Sequence, residues 1–208
     1  MESNREVNLK KTLLAASWLF FSCATTSQNS AGLNLMSESE FETITETYTE
    51  KTQVYSGLYN IMDLSGTLMN SAVARAQLDQ NARLYQWDAA KMTTEKVKSD
   101  EHLNKETEIF ISFFTPERKH DDLHKNQTLW KIFMDINGKR YEGKVKKIKL
   151  LTDELRGIYP YHTRFATPYS IVFPVSAKSI ESLPVKLTVT GPVGSASLQF
   201  KTATTSHF

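Results

Sequence analysis

The sequence predicts an α+β fold that is mainly β: an antiparallel β-sandwich with one long helix near the N-terminus. Three observations carry this expectation. The second half of the chain is a series of short segments in which apolar and polar residues alternate, separated by Gly, Pro and Asn. Two of these segments flank Asn137-Gly138, the strongest two-residue hairpin signal, because a type I′ turn needs positive φ at both central residues. Between residues 71 and 104, by contrast, apolar residues recur at helical spacing.

Composition bounds the rest. A chain of 208 residues can bury a core without metals or disulfides and has room for one domain plus a short appendage. Hydrophobic residues at 40% and charged residues at 23% are globular proportions. Lys+Arg is 25 against Asp+Glu 23, so the net charge of +2 lacks the cationic surplus of a general nucleic-acid binder. A single cysteine excludes an intramolecular disulfide and a cysteine-rich zinc site. Phosphate-loop, dinucleotide and paired-cysteine motifs are absent, so no cofactor is expected and no positive case for an enzyme arises.

The N-terminus begins with a charged stretch holding Arg5, Lys10 and Lys11, followed by an uncharged, mostly apolar run at 12–21. Ten residues make a helix of about 15 Å, half a bilayer core, which is too short to span and suits a signal-peptide core. The run ends Phe20-Phe21-Ser22-Cys23-Ala24. A small residue before a cysteine, directly after an apolar core, resembles the lipobox of bacterial lipoproteins, although Phe20 stands where that family prefers Leu. The resemblance implies a lipid on the Cys23 thiol, cleavage after Ser22 and an acylated new N-terminus. Ala24, where Asp would favour retention at the inner membrane, implies the outer membrane. Two rivals stay open: ordinary secretion with cleavage after Ala24, and a buried helix of the domain. Removal of residues 1–22 takes three basic and two acidic residues and leaves a net charge of +1.

The small, polar stretch at 23–40 reads as a flexible tether, and 41–208 as a single domain. Within 41–69, β-branched threonines and Ser56-Gly57 suggest two strands at 45–55 and 58–68, against a competing helical spacing of aromatics. Asn70 or Ser71 caps the long helix at about 71–104, with Val73, Ala76, Leu84, Trp87 and Met92 on one stripe. Strands follow at 108–114, 128–137 and 139–150. A two-residue loop fixes their register, setting Ile136 opposite Lys139, Met134 opposite Tyr141, Asp135 opposite Arg140 and Trp130 opposite Val145. The strand at 169–173 lies between Pro168 and Pro174 and reads as near an edge. Alternating runs at 185–190 and 195–200 complete a set whose spacing resembles an immunoglobulin-like sandwich, without the disulfide of antibody domains. Trp87 and Trp130 are the expected core anchors.

Candidate chemistry is sparse. His120, Asp121, Asp122 and His124 form the densest cluster of possible metal ligands, opposed by a cation-rich solvated loop as the plainer reading. Tyr159, Tyr161, His162 and Phe165 form a rigid aromatic turn that would offer a recognition surface, against simple packing. Lys144, Lys146, Lys147 and Lys149 are either a patch for anions or the defence of an edge strand, and the defence is preferred. The segments at 113–123, 129–145 and 158–174 also resemble bacterial lipoproteins, which implies an envelope location and names no substrate. The expectation is therefore a membrane-anchored envelope lipoprotein facing the periplasm, an interaction module for another envelope protein or component. The alternatives are an enzyme or metal-dependent site at His120–His124 and a carrier of an apolar ligand.

Overall fold

The computed structural model describes residues 27–28 and 31–202. The leader at 1–22 and Cys23 lie outside the described residues. In chain order the elements are β1 (Ser27–Gln28), β2 (Asn34–Leu35), α1 (Glu38–Thr47), β3 (Thr49–Ser56), β4 (Tyr59–Leu68), α2 (Ser71–Leu84) and α3 (Ala89–Lys105). Then come β5 (Thr107–Phe114), a 3-10 turn (Arg118–His120), β6 (Lys131–Ile136), β7 (Lys139–Glu142), β8 (Lys144–Lys147) and α4 (Thr152–Ile158). The chain ends with β9 (Thr167–Phe173), α5 (Ala177–Ile180), β10 (Val185–Gly191) and β11 (Gly194–Phe200).

The α+β class and the antiparallel sheets are as expected. One sheet has five strands in the order β3-β4-β5-β9-β8, the other four in the order β11-β10-β6-β7, and β1-β2 is a separate ribbon. Period-two alternation turns one face of each sheet inward. Met62, Leu64, Ile109, Ile111, Phe113, Tyr169, Ile171 and Phe173 from the larger sheet meet Met134, Leu187, Val189 and Leu198 from the smaller one in a single core. Trp130 is 2% exposed and stands edge-on to Phe113, ring centroids 5.5 Å apart, so it is the anchor the sequence suggested.

The hairpin at Asn137-Gly138 forms with both residues at positive φ, 46° and 78°. Met134 faces Tyr141, Asp135 faces Arg140 and Ile136 faces Lys139. The expected continuation to Trp130 and Val145 does not form. After Gly143 the chain leaves the smaller sheet, and β8 pairs with β9 in the larger one, Val145 opposite Ile171. Gly143 is the corner. A Cβ there would lie 2.4 Å from Ile171 Cγ2 and 2.8 Å from the Phe173 ring, so the close approach requires glycine. The lysines of β8 do border an edge of the larger sheet. β9, expected near an edge, lies between β5 and β8. Its prolines are harmless because Pro168 is near the start of the strand and Pro174 is beyond its end.

The single helix expected at 71–104 is two. Gln86 adopts φ 49° in the break, and the Asp88 carboxylate accepts from the Lys91 amide at 2.7 Å, capping a new helix. Trp87 sits half-buried at that break, not in the core. Residues 34–40, placed by the sequence in a flexible tether, are instead part of the domain. Leu35 is buried, the Met36 amide donates to Asp79 at 3.0 Å, and Arg83 donates to the Met36 carbonyl. α1, missed within the expected strand region, starts from a Ser37–Glu40 capping box. The two strands expected after it are present as β3 and β4, joined at Gly57.

Candidate functional site

Three of the rows of side chains on the outward face of the larger sheet, set by strand register, frame the site. Gln53, Asp63 and Phe114 form the first; Lys51, Ser65, Ser112 and Pro168 the second; Thr49, Thr67, Phe110 and Ser170 the third. Phe110 is a large apolar residue among the threonines and serine of the third row and needs cover. The chain after α4 supplies it. Tyr159 stacks on Phe110 with centroids 3.5 Å apart and planes 5° from parallel, while Leu155 and Ile158 of α4 close the sides.

Tyr161 and His162 pin this segment to the sheet. The Tyr161 hydroxyl lies 2.6 Å from Thr67 Oγ1, which lies 2.6 Å from Thr49 Oγ1. His162 Nδ1 is 2.8 Å from Ser112 Oγ. Burial drives the pKa of both Tyr159 and Tyr161 far up, so both phenols stay protonated and neutral. Burial also holds His162 below the ordinary histidine range, so its ring is neutral at pH 7. A neutral imidazole bonded to a serine has two elements of a nucleophilic dyad. With His162 3% and Ser112 6% exposed, the pair braces the segment and presents no open nucleophile.

The third row is thus covered and Ser112 of the second is capped by His162, while the rest of the first two rows stays open. They form the floor of a groove of about 690 Å³, with Lys51, Gln53, Asp63, Ser65, Ser112 and Phe114 below and Tyr161, Thr163 and Phe165 as its wall. On the other side of Tyr161 a second groove of about 620 Å³ is edged by Glu42, Glu46 and Glu50. Tyr161 is the ridge between them, and Lys51 Nζ lies 5.3 Å from its ring centroid. The arrangement offers hydrogen-bonding groups at strand spacing beside aromatic walls, which suits binding an extended polar segment.

Of the four residues expected as a recognition surface, Phe165 alone protrudes, at 58% exposure. Tyr159 and His162 are buried and Tyr161 is half-buried, because their rings turn onto Phe110 and the sheet. The groove floor was missed. Its signal was present in the polar alternates of β4, where Asp63, Ser65 and Thr67 interleave with Met62, Leu64 and Gly66.

The His120–His124 cluster is otherwise engaged. Asp121 accepts from Thr167 and from the Tyr169 hydroxyl, Asp122 accepts from Thr128 at 2.9 Å, and the His120 carbonyl takes the Trp130 indole at 2.7 Å. His124 lies against the Tyr169 ring. Among the described residues no three His, Cys, Asp or Glu side chains gather to hold a metal ion. For an apolar carrier, the space between the sheets is filled by Trp130, Phe113, Tyr169 and their neighbours.

Fold and site together define a two-sheet α+β domain with a surface groove. No family model, curated protein or solved structure matches the chain. No helix among the described residues is long and apolar enough to cross a membrane.

Proposed function

We propose that this protein is an envelope lipoprotein, held by a lipid on Cys23 and facing the periplasm, whose domain binds another envelope component along the Tyr161 ridge. The observation that carries the binding reading is the covering of Phe110 by Tyr159, which fixes a rigid aromatic wall over a polar floor that stays open. A partner segment crossing the ridge meets carboxylates of Glu42, Glu46 and Glu50 on one side and the groups of Gln53, Asp63 and Ser65 on the other. The anchor reading rests on the apolar run and on Ser22-Cys23, and the outer membrane on Ala24. For the fold, an immunoglobulin-like sandwich is supported by two antiparallel sheets packed around a Trp-bearing segment, with the corner at Gly143 as its departure.

A photo-crosslinking residue placed at Gln53 in the full chain, expressed in a bacterial host, tests the binding reading. A discrete crosslinked species is expected at Gln53 and not at the exposed Lys96 of α3. Equal crosslinking at both positions, or none at either, rejects the groove.

A further inference from the structure

We propose that the cationic groove at the β7–β8 corner binds a phosphate-type dianion. This inference stands apart from the Tyr161 groove and from the lipid anchor. The corner at Gly143 bends one run of chain so that Arg140, Glu142 and Lys144 border the same groove, of about 530 Å³. Lys131, the first residue of β6, and Lys125, from the loop before it, line the same groove. Four cations therefore converge from three separate stretches of chain.

Their charges are not equally spent. Arg140 is held by Asp135 through two hydrogen bonds of 2.8 and 3.1 Å and lies 3.6 Å from the centroid of the Phe133 ring. Its charge is answered. Among the described residues no ion pair joins Lys125, Lys131 or Lys144 to an acid, and Glu142 is the one carboxylate lining the groove. Three lysines against one glutamate leave a surplus of about two positive charges, which a phosphate group of roughly −1.5 to −2 would neutralise. An edge strand defended by lysines explains Lys144 alone. It does not explain why Lys125 and Lys131, on other segments, share its groove, where like charges repel. The Asn126 side chain adds a neutral donor at the rim.

The source of the phosphate is either a soluble or polymer-borne group or a lipid headgroup, and two probes separate them. The full chain in neutral detergent is titrated calorimetrically with inorganic phosphate and with monomeric dihexanoyl phosphatidic acid, whose headgroup is a phosphate monoester, with zwitterionic dihexanoyl phosphatidylcholine as the net-neutral control. Saturable binding of phosphate at one site is expected. K125Q, K131Q and K144Q should each weaken it roughly two- to five-fold, and the triple variant should abolish it with the circular-dichroism spectrum unchanged. Phosphatidic acid binding tighter than phosphate assigns a headgroup; weaker or absent binding assigns a non-lipid phosphate. K178Q, on α5, serves as the remote control. Phosphate binding that is absent, or that K178Q weakens as much as K131Q, overturns the proposal.

Discussion

The ring of Tyr159 lies flat on the ring of Phe110, and this one contact decides which part of the outer sheet is closed and which is open. Tyr161 and His162 follow it in sequence and are drawn onto Thr67 and Ser112 by the same descent of the chain. The groove is in this sense a by-product of covering one apolar residue in an otherwise polar row of that face.

Tyr159→Ala should therefore be the most damaging change near the groove. It uncovers Phe110 and should cost about 3–5 kcal/mol by urea denaturation. Tyr161→Phe keeps the ridge and loses only the hydroxyl bonded to Thr67, for about 1 kcal/mol. Equal costs for the two would show that stacking is not what fixes the segment.

Stability should peak near pH 6.5, with a different histidine responsible on each side. His162 has a pKa lowered by burial, so below pH 6.5 the unfolded chain takes up the proton first and stability falls. His102, 3.2 Å from Glu108, has a pKa raised chiefly by that hydrogen bond. Its contribution is complete below pH 6.5 and is lost as pH rises through the raised value. Burial pushes Glu108 up, but the bonds from His102 and Ser170 and nearby positive charge outweigh it and hold the carboxyl below 4.5. Its contribution is present above that value and is lost as pH falls through the lowered one. Unfolding midpoints from pH 5 to 8.5 should lose their acid-side slope in H162N and their alkaline-side slope in H102Q. Unchanged slopes in both variants would remove the assignment.

At the corner, Gly143→Ala would push a methyl group into Ile171 and Phe173. Since these are core residues of β9, the neighbours have little room to yield. The expected loss is about 1–3 kcal/mol, read as a lower urea midpoint with an unchanged denaturant slope.

Asp121 should behave as a structural acceptor. Asp121→Ala strands the Tyr169 and Thr167 hydroxyls and should cost about 1–3 kcal/mol. Millimolar zinc should leave the thermal midpoint of the wild-type chain unchanged. A zinc-dependent rise that H120A and H124A remove would restore the metal reading.

N-terminal processing has its own readout. The N-terminal peptide of protein made in a bacterial host should begin at Cys23 and carry the mass of a diacylglycerol, with or without a further acyl group. A bare peptide beginning at Thr25 would point to simple secretion.

Elements built on local chemistry were legible. Asn137-Gly138 fixes its hairpin register through backbone conformation alone, and the three pairs from Ile136–Lys139 to Met134–Tyr141 follow from it. The β10–β11 hairpin was legible in the alternation on each side of Gly191-Pro192-Val193-Gly194. What escaped depends on contacts distant in sequence. Nothing near Gly143 announces that Ile171 and Phe173 will draw the chain into the other sheet. Helical periodicity ran through Tyr85–Asp88 because a break of a few residues barely disturbs it, although Asp88 is a good cap. The burial of Tyr159 required Phe110, about fifty positions earlier, to face outward.

The run from Lys139 to Lys147 hydrogen-bonds first to β6 in one sheet and then to β9 in the other. The two sheets thus share a seam. The edge strands β7 and β8 are one continuous run and the two sheets bury a common core, so heat or denaturant that loosens one sheet uncovers the other, and the two come apart as one cooperative unit. The domain is indivisible for the same reason. A cut between β6 and β7 takes the shared run from the smaller sheet, and a cut between β8 and β9 takes it from the larger.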